Sequence, residues 1–293
     1  MRPVWRSLGR QIVAAWASLL VAASLLVIAM SSPAPSPLST TCTFTTSGTT
    51  MTLTADCTTD ATISIPGGYT LDGAGHTITA VDPAGGHFLG AVVTNAGSVA
   101  HVRNLGVTTS GLANVCDGGA TRLRGILLED ASGSIRDSVV TGINQGASGC
   151  QEGNGIEVRS APFDGTHPNT KHVTVAGNAV IAYQKTGIVA NGDVFVDVTD
   201  NTVVGLGPVP YIAQNGIQLG FGATGEVRDN DISGNRYTGC SNQDAAVTGC
   251  TPWVSAALLL YDVDANAVKH ASNRFRDNQR NLLLVTSASL GSP

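Results

Sequence analysis

Two short phrases alternate along the chain, and their spacing constrains the fold more than any other feature of the sequence. The first phrase is glycine, an apolar residue, any residue and a second apolar residue. It occurs in RGILLED from 124, NGIEVRS from 154, TGIVANG from 186 and NGIQLGF from 215. The second phrase has an apolar residue at each end and Asn or Ser in fourth place. It occurs in IRDSVV from 135, VAGNAV from 175, VTDNTV from 198 and VRDNDI from 227. Each phrase has room only for a strand and a turn.

The repeat has a nearly constant period. The isoleucines of the first phrase, at 126, 156, 188 and 217, are 30, 32 and 29 residues apart. Each period holds three short strands, with a tight turn at the Asn position. Units of this size cannot bury their apolar sides singly, so they stack, and each strand pairs in parallel with its equivalent about 4.8 Å away. We predict an all-β fold, a single-stranded parallel β-helix solenoid with three short strands per coil and about seven to nine coils.

The two phrases, together with the stretch YTLDGAGHTITAV from residue 69, resemble the right-handed parallel β-helix family, the pectate-lyase-like solenoids. The resemblance covers roughly residues 60 to 290 and implies a right-handed coil. It also implies work on polysaccharides, as a lyase, hydrolase or epimerase or as a binding protein. No specific enzyme family is matched, because the aspartate and histidine signatures of its known enzymes do not occur.

The N-terminal region predicts export. Three arginines precede an uncharged apolar run that extends from residue 11 to 30, and a proline-rich stretch follows. Residues 1–31 are therefore expected to be a signal peptide, or an uncleaved anchor. We expect residues 32–59 to be a linker and disulfide-bearing segment and residues 60–293 to be the β-helix domain. The protein is predicted to be secreted or extracytoplasmic, and without contact to the membrane once the leader is cleaved.

Cysteine usage agrees with an oxidising compartment. The six cysteines allow 15 pairings, and pairing between sequence neighbours would close three local loops. The neighbours in question are Cys42 with Cys57, Cys116 with Cys150, and Cys240 with Cys250. Of these, the bond between Cys42 and Cys57 is expected to tie the N-terminal end.

The stretch VRDNDISGN, from residue 227, begins like a calcium loop. Asp229, Asp231 and Ser233 alternate ahead of Gly234, but the twelfth position is Cys240, where such a loop needs a bidentate glutamate. The same register carries an asparagine in the neighbouring coils, so we interpret this position as a stacked ladder of buried amides. The predicted ladder contains Asn178, Asn201, Asn230 and Asn273. We expect no metal and no cofactor, although calcium remains an alternative.

Alternation along the GIxL strands predicts where chemistry lies. With the isoleucines facing inward, Glu129 and Glu157 fall in neighbouring outward columns on adjacent coils, about 8 Å apart at Cα. A hydrolase would use these two as acid and base or nucleophile. In that scheme Arg159 would shift the pKa of a neighbouring carboxylate. A lyase would instead use Lys185 or Arg159 as base. The simpler alternative is that Glu129 and Arg159 form a surface salt bridge.

The segments inserted before each GIxL strand carry most of the remaining candidates, and such an edge of a solenoid is often its binding face. The predicted substrate-binding residues are Tyr183, Asn191, Tyr211, Gln218, Arg236, Tyr237 and Trp253. Aromatic rings and polar groups beside carboxylates suit a sugar. The mature chain has 13 basic against 21 acidic residues, counting out the three leader arginines, so nucleic acid is an unsuitable partner. We expect a polysaccharide or surface glycan, neutral rather than anionic, bound by a monomer; the alternative is a non-catalytic surface or adhesion protein.

Overall fold

A computed structural model describes residues 40–165 and 168–286. The predicted leader therefore lies outside the described residues. Within them, no helix combines the length and apolar character needed to cross a membrane. The strands, in chain order, are β1 (Phe44–Ser47), β2 (Thr50–Leu53), β3 (Cys57–Thr59), β4 (Ile63–Ile65), β5 (Tyr69–Asp72), β6 (Thr77–Ala80), β7 (Ala91–Asn95), β8 (Val99–Arg103), β9 (Gly106–Thr109), β10 (Arg124–Glu129), β11 (Ser132–Arg136), β12 (Val139–Thr141), β13 (Asn154–Ser160), β14 (Lys171–Ala176), β15 (Ala179–Ile181), β16 (Thr186–Gly192), β17 (Val194–Thr199), β18 (Thr202–Val209), β19 (Asn215–Gly220), β20 (Thr224–Arg228), β21 (Asp231–Tyr237), β22 (Ala256–Tyr261), β23 (Val268–Ala271), β24 (Arg274–Arg276) and β25 (Arg280–Val285). One α-helix, α1 (Asn242–Thr248), and two 3-10 turns, Gly119–Thr121 and Ala265–Ala267, complete the elements of the described chain.

The strands form three stacked sheets, and the chain visits them in rotation. Sheet 1 contains β4, β7, β10, β13, β16, β19, β22 and β25, and includes the GIxL strands. Sheet 2 contains β1, β2, β5, β8, β11, β14, β17, β20 and β23. Sheet 3 contains β3, β6, β9, β12, β15, β18, β21 and β24. All neighbouring strands pair in parallel except β1 with β2, so the fold is the predicted three-strand-per-coil parallel β-helix solenoid.

The predicted register is confirmed in sheet 1. Ile126 pairs with Ile156, Ile156 with Ile188, and Ile188 with Ile217, and all of these side chains are fully buried. The glycine ahead of each isoleucine lies at a close approach between coils. A Cβ on Gly155 would lie 2.7 Å from the carbonyl oxygen of Gly187, so the phrase needs glycine there.

The predicted asparagine ladder is also confirmed. The side-chain Oδ1 of Asn201 accepts hydrogen bonds from the backbone N–H of Asn178 at 2.9 Å and from its Nδ2 at 3.0 Å. Asn230 does the same for Asn201, and Asn273 for Asn230. In successive coils the ladder provides hydrogen-bond partners for the polar backbone groups of the buried turn between sheets 2 and 3. Without it these groups would have no partners.

The aspartates of the apparent calcium loop have other partners. The carboxylate oxygens of Asp231 lie 2.7 and 2.8 Å from Nη2 of Arg276, and Asp229 pairs with Arg228 at 3.1 Å. Asp229 occupies the left-handed region with φ of 59°, which places it at the tight turn ahead of the ladder residue. In the described part of the chain, no three histidine, cysteine or acidic side chains are grouped as a metal would need.

The three disulfides join the sequence neighbours: Cys42 with Cys57, Cys116 with Cys150, and Cys240 with Cys250. The first ties the N-terminal end, as predicted. Parallel stacking begins before residue 60, however, because Thr50 of β2 pairs with Thr70 of β5, and β3 pairs with β6. The segment predicted to be a linker and disulfide-bearing region, residues 32–59, thus supplies two parallel-paired strands of the solenoid, β2 and β3.

Candidate functional site

Glu129, Arg159 and Glu157 meet on the outer face of sheet 1. Strands β10 and β13 place Glu129 opposite Arg159 and Leu127 opposite Glu157. The Nε atom of Arg159 is 3.2 Å from Oε1 of Glu129, and its Nη1 atom is 3.9 Å from Oε1 of Glu157. One guanidinium therefore contacts both carboxylates, and the salt bridge expected as the simpler alternative is present.

Glu157 is occupied by a second arginine that the sequence reasoning missed. The Nε atom of Arg124 donates to Oε2 of Glu157 at 2.6 Å, and Nδ2 of Asn154 donates to the same oxygen at 2.8 Å. Glu157 is 4% exposed and Arg124 1%. A polysaccharide does not reach a carboxylate in this position, so the structure does not support Glu157 as an acid, base or nucleophile. Arg124 pairs with Asn154 at the start of the two strands, but alternation from the inward-facing Ile126 would turn residue 124 inward, so the register alone did not mark it.

The rest of the Arg124 guanidinium holds a turn. Its Nη1 donates to the carbonyl oxygen of Arg122 at 2.8 Å, and its Nη2 donates to that of Gly119 at 3.0 Å. A longer contact of 3.4 Å reaches the carbonyl of Ala120. We call residues 119–122 the wall segment. The carbonyl oxygens of its 3-10 turn carry partial negative charge and point toward the positive guanidinium of Arg124.

The start of the inserted loop before β10 is fixed from the next coil. Glu152, which is fully buried, accepts hydrogen bonds from the backbone N–H of Asp117 at 2.8 Å and of Leu123 at 2.7 Å. The Cys116–Cys150 disulfide joins the same two loops. In addition, Nε2 of His87 lies 2.9 Å from the Asp117 carboxylate. The wall segment is therefore held at both ends and from beneath.

Two shallow depressions meet at Glu129, and together we call them the groove. The first, of about 460 Å³, is lined by residues 94 to 98 with Glu129 and Asp130. The second, of about 290 Å³, includes residues 89 to 91, Leu127, and Ala120 and Thr121 of the wall segment. Thr94 and Glu129 border both depressions. The groove thus runs over β7 and β10, with the wall segment on one side.

Asn95 fixes the backbone of Glu129. Its Nδ2 donates to the carbonyl oxygen of Glu129 at 2.9 Å, and its Oδ1 accepts the N–H of Glu129 at 2.8 Å. The Glu129 side chain is 44% exposed. Its Oε1 atom faces Nε of Arg159, and Glu129 borders both depressions. Glu129 is therefore a half-exposed carboxylate held at the edge of the groove.

An aromatic ring does lie beside these charges, but it is not from the inserted loops. The Arg159 guanidinium carbon lies 4.9 Å from the ring centre of Phe163, in the segment that follows β13. This cation–π contact helps to hold Arg159 in place. Asp130 accepts hydrogen bonds from the Ser160 hydroxyl and from the N–H of Ala161, and so joins this segment to the rim of the groove.

Tyr183 and Lys185 are not at the groove. Tyr183 is fully buried, and its hydroxyl donates to Oδ1 of Asn235 at 2.5 Å, so the prediction of a substrate-binding ring is wrong. Burial raises the pKa of Tyr183 well above its ordinary value. The Nζ atom of Lys185 donates to the carbonyl oxygen of Ala213 at 2.8 Å, and burial lowers the pKa of Lys185 to about 8.

The remaining predicted contacts follow the inserted edge without entering the groove. Insertions do gather between sheet 3 and sheet 1, and Trp253 is 59% exposed in the longest of them. Asn191 and Gln218 lie further along the outer face of sheet 1, 3.4 Å apart at Oδ1 and Nε2. Tyr211 and Tyr237 are half-buried and Arg236 is exposed. None of these residues lines the two depressions described above.

The chain was also compared with known proteins. No protein-family model, no curated protein and no solved structure matches it.

Proposed function

We propose that this is an extracytoplasmic protein that binds a neutral polysaccharide in the groove over β7 and β10. The observation that carries the proposal is the state of Glu129. Its backbone is clamped by Asn95, its carboxylate is paired with Arg159, and its side chain is 44% exposed where the two depressions meet. A fixed acceptor beside apolar surface is what a sugar needs, since it presents hydroxyl groups next to C–H faces.

The lining supports a glycan over other small ligands. Leu89, which is 47% exposed, supplies apolar surface, while Thr62, Thr94 and Ser98 supply hydroxyl groups. The charged residues among those that line the groove in the described chain are Glu129 and Asp130, both acidic. Because no lysine or arginine lines it there, a uronate polymer would meet like charge, and a neutral chain fits better.

The burial and the partners of the predicted catalytic residues favour binding over hydrolysis or elimination. Hydrolysis by two carboxylates needs both of them to reach the sugar, and Glu157 is buried against Arg124 and Asn154. Of the two bases predicted for elimination, Lys185 is engaged with the Ala213 carbonyl away from the groove, and Arg159 is an ion-paired guanidinium that lines neither depression. The pectate-lyase-like resemblance thus supports the substrate class more than it supports a reaction.

An extracytoplasmic location is part of the proposal. The three disulfides favour an oxidising compartment, and the arginine-led apolar stretch at residues 1–31 agrees with export. An exported, acidic solenoid with one glycan groove suits a protein that works at a cell surface or in the surrounding medium.

The test is calorimetric titration of the chain from residue 32 with three hexasaccharides: cellohexaose, the N-acetylglucosamine hexamer and hexagalacturonate. We expect binding of at least one neutral hexamer and none of the uronate. Glu129→Ala should weaken that binding about tenfold. The matched control is Glu226→Ala, which removes an ion-paired carboxylate of sheet 2 and should leave affinity unchanged. Absence of neutral binding, or equal affinity in Glu129→Ala, would refute the proposal; release of shorter sugars would replace it with an enzyme.

A further inference from the structure

Four charged side chains form one continuous series beside the groove. The order is Glu129, Arg159, Glu157 and Arg124, with closest contacts of 3.2, 3.9 and 2.6 Å between successive members. The first member borders the groove, and the last is buried under the wall segment. The series therefore links a carboxylate that a ligand would touch to the backbone that shapes the side of the same groove.

Arg124 is the element that joins the wall segment to sheet 1. Its guanidinium contacts three carbonyls of residues 119–122, and its Nε is taken by Glu157. The wall segment itself buries no side chain in its 3-10 turn. Apolar packing by that turn thus contributes little to its position. Glu152 and the Cys116–Cys150 disulfide hold the residues on either side of the wall segment, and Arg124 holds the carbonyls of the wall segment itself.

We propose that Arg124 and Glu157 are positioning residues that set the wall of the groove and hence its affinity, although the ligand contacts neither. The predicted effect on affinity rests on the proposed function. The claim that these two residues hold the wall segment does not. Glu157 orients the fork of Arg124, Arg124 holds the carbonyls of the wall segment, and Ala120 and Thr121 of that segment line the groove. Support by such surrounding contacts is what keeps a binding site in its working geometry.

If the Arg124–Glu157 pair only stabilised the fold, its removal would change stability without loosening the wall segment. Removal of one partner from a buried ion pair leaves an uncompensated charge and destabilises the fold, whereas apolar residues of similar size in both positions can restore stability. The double variant Arg124→Met with Glu157→Leu removes that penalty, yet it supplies no donors to the wall carbonyls. A positioning role therefore predicts a stable protein with a loose wall.

Trypsin is the probe of the wall. Arg122 is exposed, and its carbonyl, which belongs to the bond that trypsin cuts, is held by Arg124 at 2.8 Å. We expect cleavage after Arg122 in the native protein to rise about tenfold or more in Glu157→Gln and in the double variant. Asn201→Ala, which weakens the ladder far from the wall, should show the wild-type rate at a temperature where all four proteins remain folded. Equal cleavage after Arg122 in every variant would overturn the proposal.

The second measurement is the affinity for the neutral hexasaccharide that the wild type binds. We expect the double variant to lose about tenfold in affinity while its midpoint of thermal unfolding lies above that of Glu157→Gln. Faster cleavage with wild-type affinity would overturn the link between wall and binding. If the wild type binds no hexasaccharide, the proposed function fails, and the cleavage rates still decide whether Arg124 and Glu157 hold the wall.

Discussion

Arg159 lies between Glu129 and Glu157 and is the residue through which the open carboxylate and the buried one are connected. Its Nε is 3.2 Å from the Glu129 carboxylate and its Nη1 is 3.9 Å from that of Glu157. Its guanidinium also lies over the Phe163 ring at 4.9 Å. A partly exposed pair of this kind adds little to stability, so the importance of Arg159 is in orienting Glu129.

Replacement of Arg159 by lysine tests that orientation. Arg159→Lys keeps the charge but loses the planar fork and its stacking on Phe163. We expect affinity for a neutral hexasaccharide to fall several-fold, with a change in unfolding free energy below about 1 kcal/mol. Calorimetry and urea unfolding measure the two effects. Arg228→Lys is the control, because Arg228 pairs with Glu226 and Asp229 on sheet 2. Wild-type affinity in Arg159→Lys would contradict the assigned role.

The asparagine ladder should dominate stability among polar groups. Asn201→Ala removes the acceptor for two donors of Asn178 and two donated bonds to backbone carbonyls. Because these groups are buried, we expect a loss of about 2–4 kcal/mol in unfolding free energy by denaturant titration. Thr202→Ala, at the exposed neighbouring position, should cost less than about 0.5 kcal/mol. A similar small loss in both variants would show that water replaces the ladder.

Lys185 should give the protein a measurable alkaline dependence of stability. Burial lowers its folded pKa from 10.5 to about 8, so between these values the unfolded chain binds a proton that the folded chain does not. Stability therefore rises with pH in that window, by at most about 1.4 kcal/mol per pH unit from this group. Denaturant unfolding of wild type and Lys185→Met from pH 7.5 to 10.5 isolates the contribution of Lys185 to the unfolding free energy. A difference between the two that does not change with pH contradicts the shift.

The last coil should resist end-to-end association because of its arginines. Strand β24 is the end of sheet 3 in the described chain and carries Arg274 and Arg276 on its outward side. Charges on an edge strand oppose pairing with another chain. We expect Arg274→Thr with Arg276→Thr to form oligomers in light scattering at concentrations where the wild type is a monomer. The same double change to lysine should leave it a monomer, and a monomeric threonine variant would show that another feature protects the edge.

Much of this structure follows from local sequence pattern, and the reasons are physical. Stacked coils put equivalent residues in register, so Ile126 and Ile156, or Asn201 and Asn230, could be placed from spacing alone. Neighbouring cysteines pair because adjacent loops of a solenoid lie side by side.

The candidate site was less accessible to such reasoning. The outward face of Glu157 was predictable, but its carboxylate is buried against Arg124 and Asn154, and Arg124 is held by a turn at residues 119–122 that belongs to no repeat. Tyr183 lies in an irregular connection, where alternation does not tell which way a ring points, and it faces Asn235 in the interior. Asn95 follows VVT in a strand without the GIxL phrase, so nothing in the repeat marked it as the residue that clamps Glu129.

The most direct test of the central claim is a crystal structure of the chain from residue 32 with the neutral hexasaccharide that it binds. We predict sugar density over β7 and β10, with a hydroxyl group within hydrogen-bonding distance of the Glu129 carboxylate and a sugar face against Leu89. Ordered sugar elsewhere, for example on Trp253, with the groove occupied only by water, would contradict it.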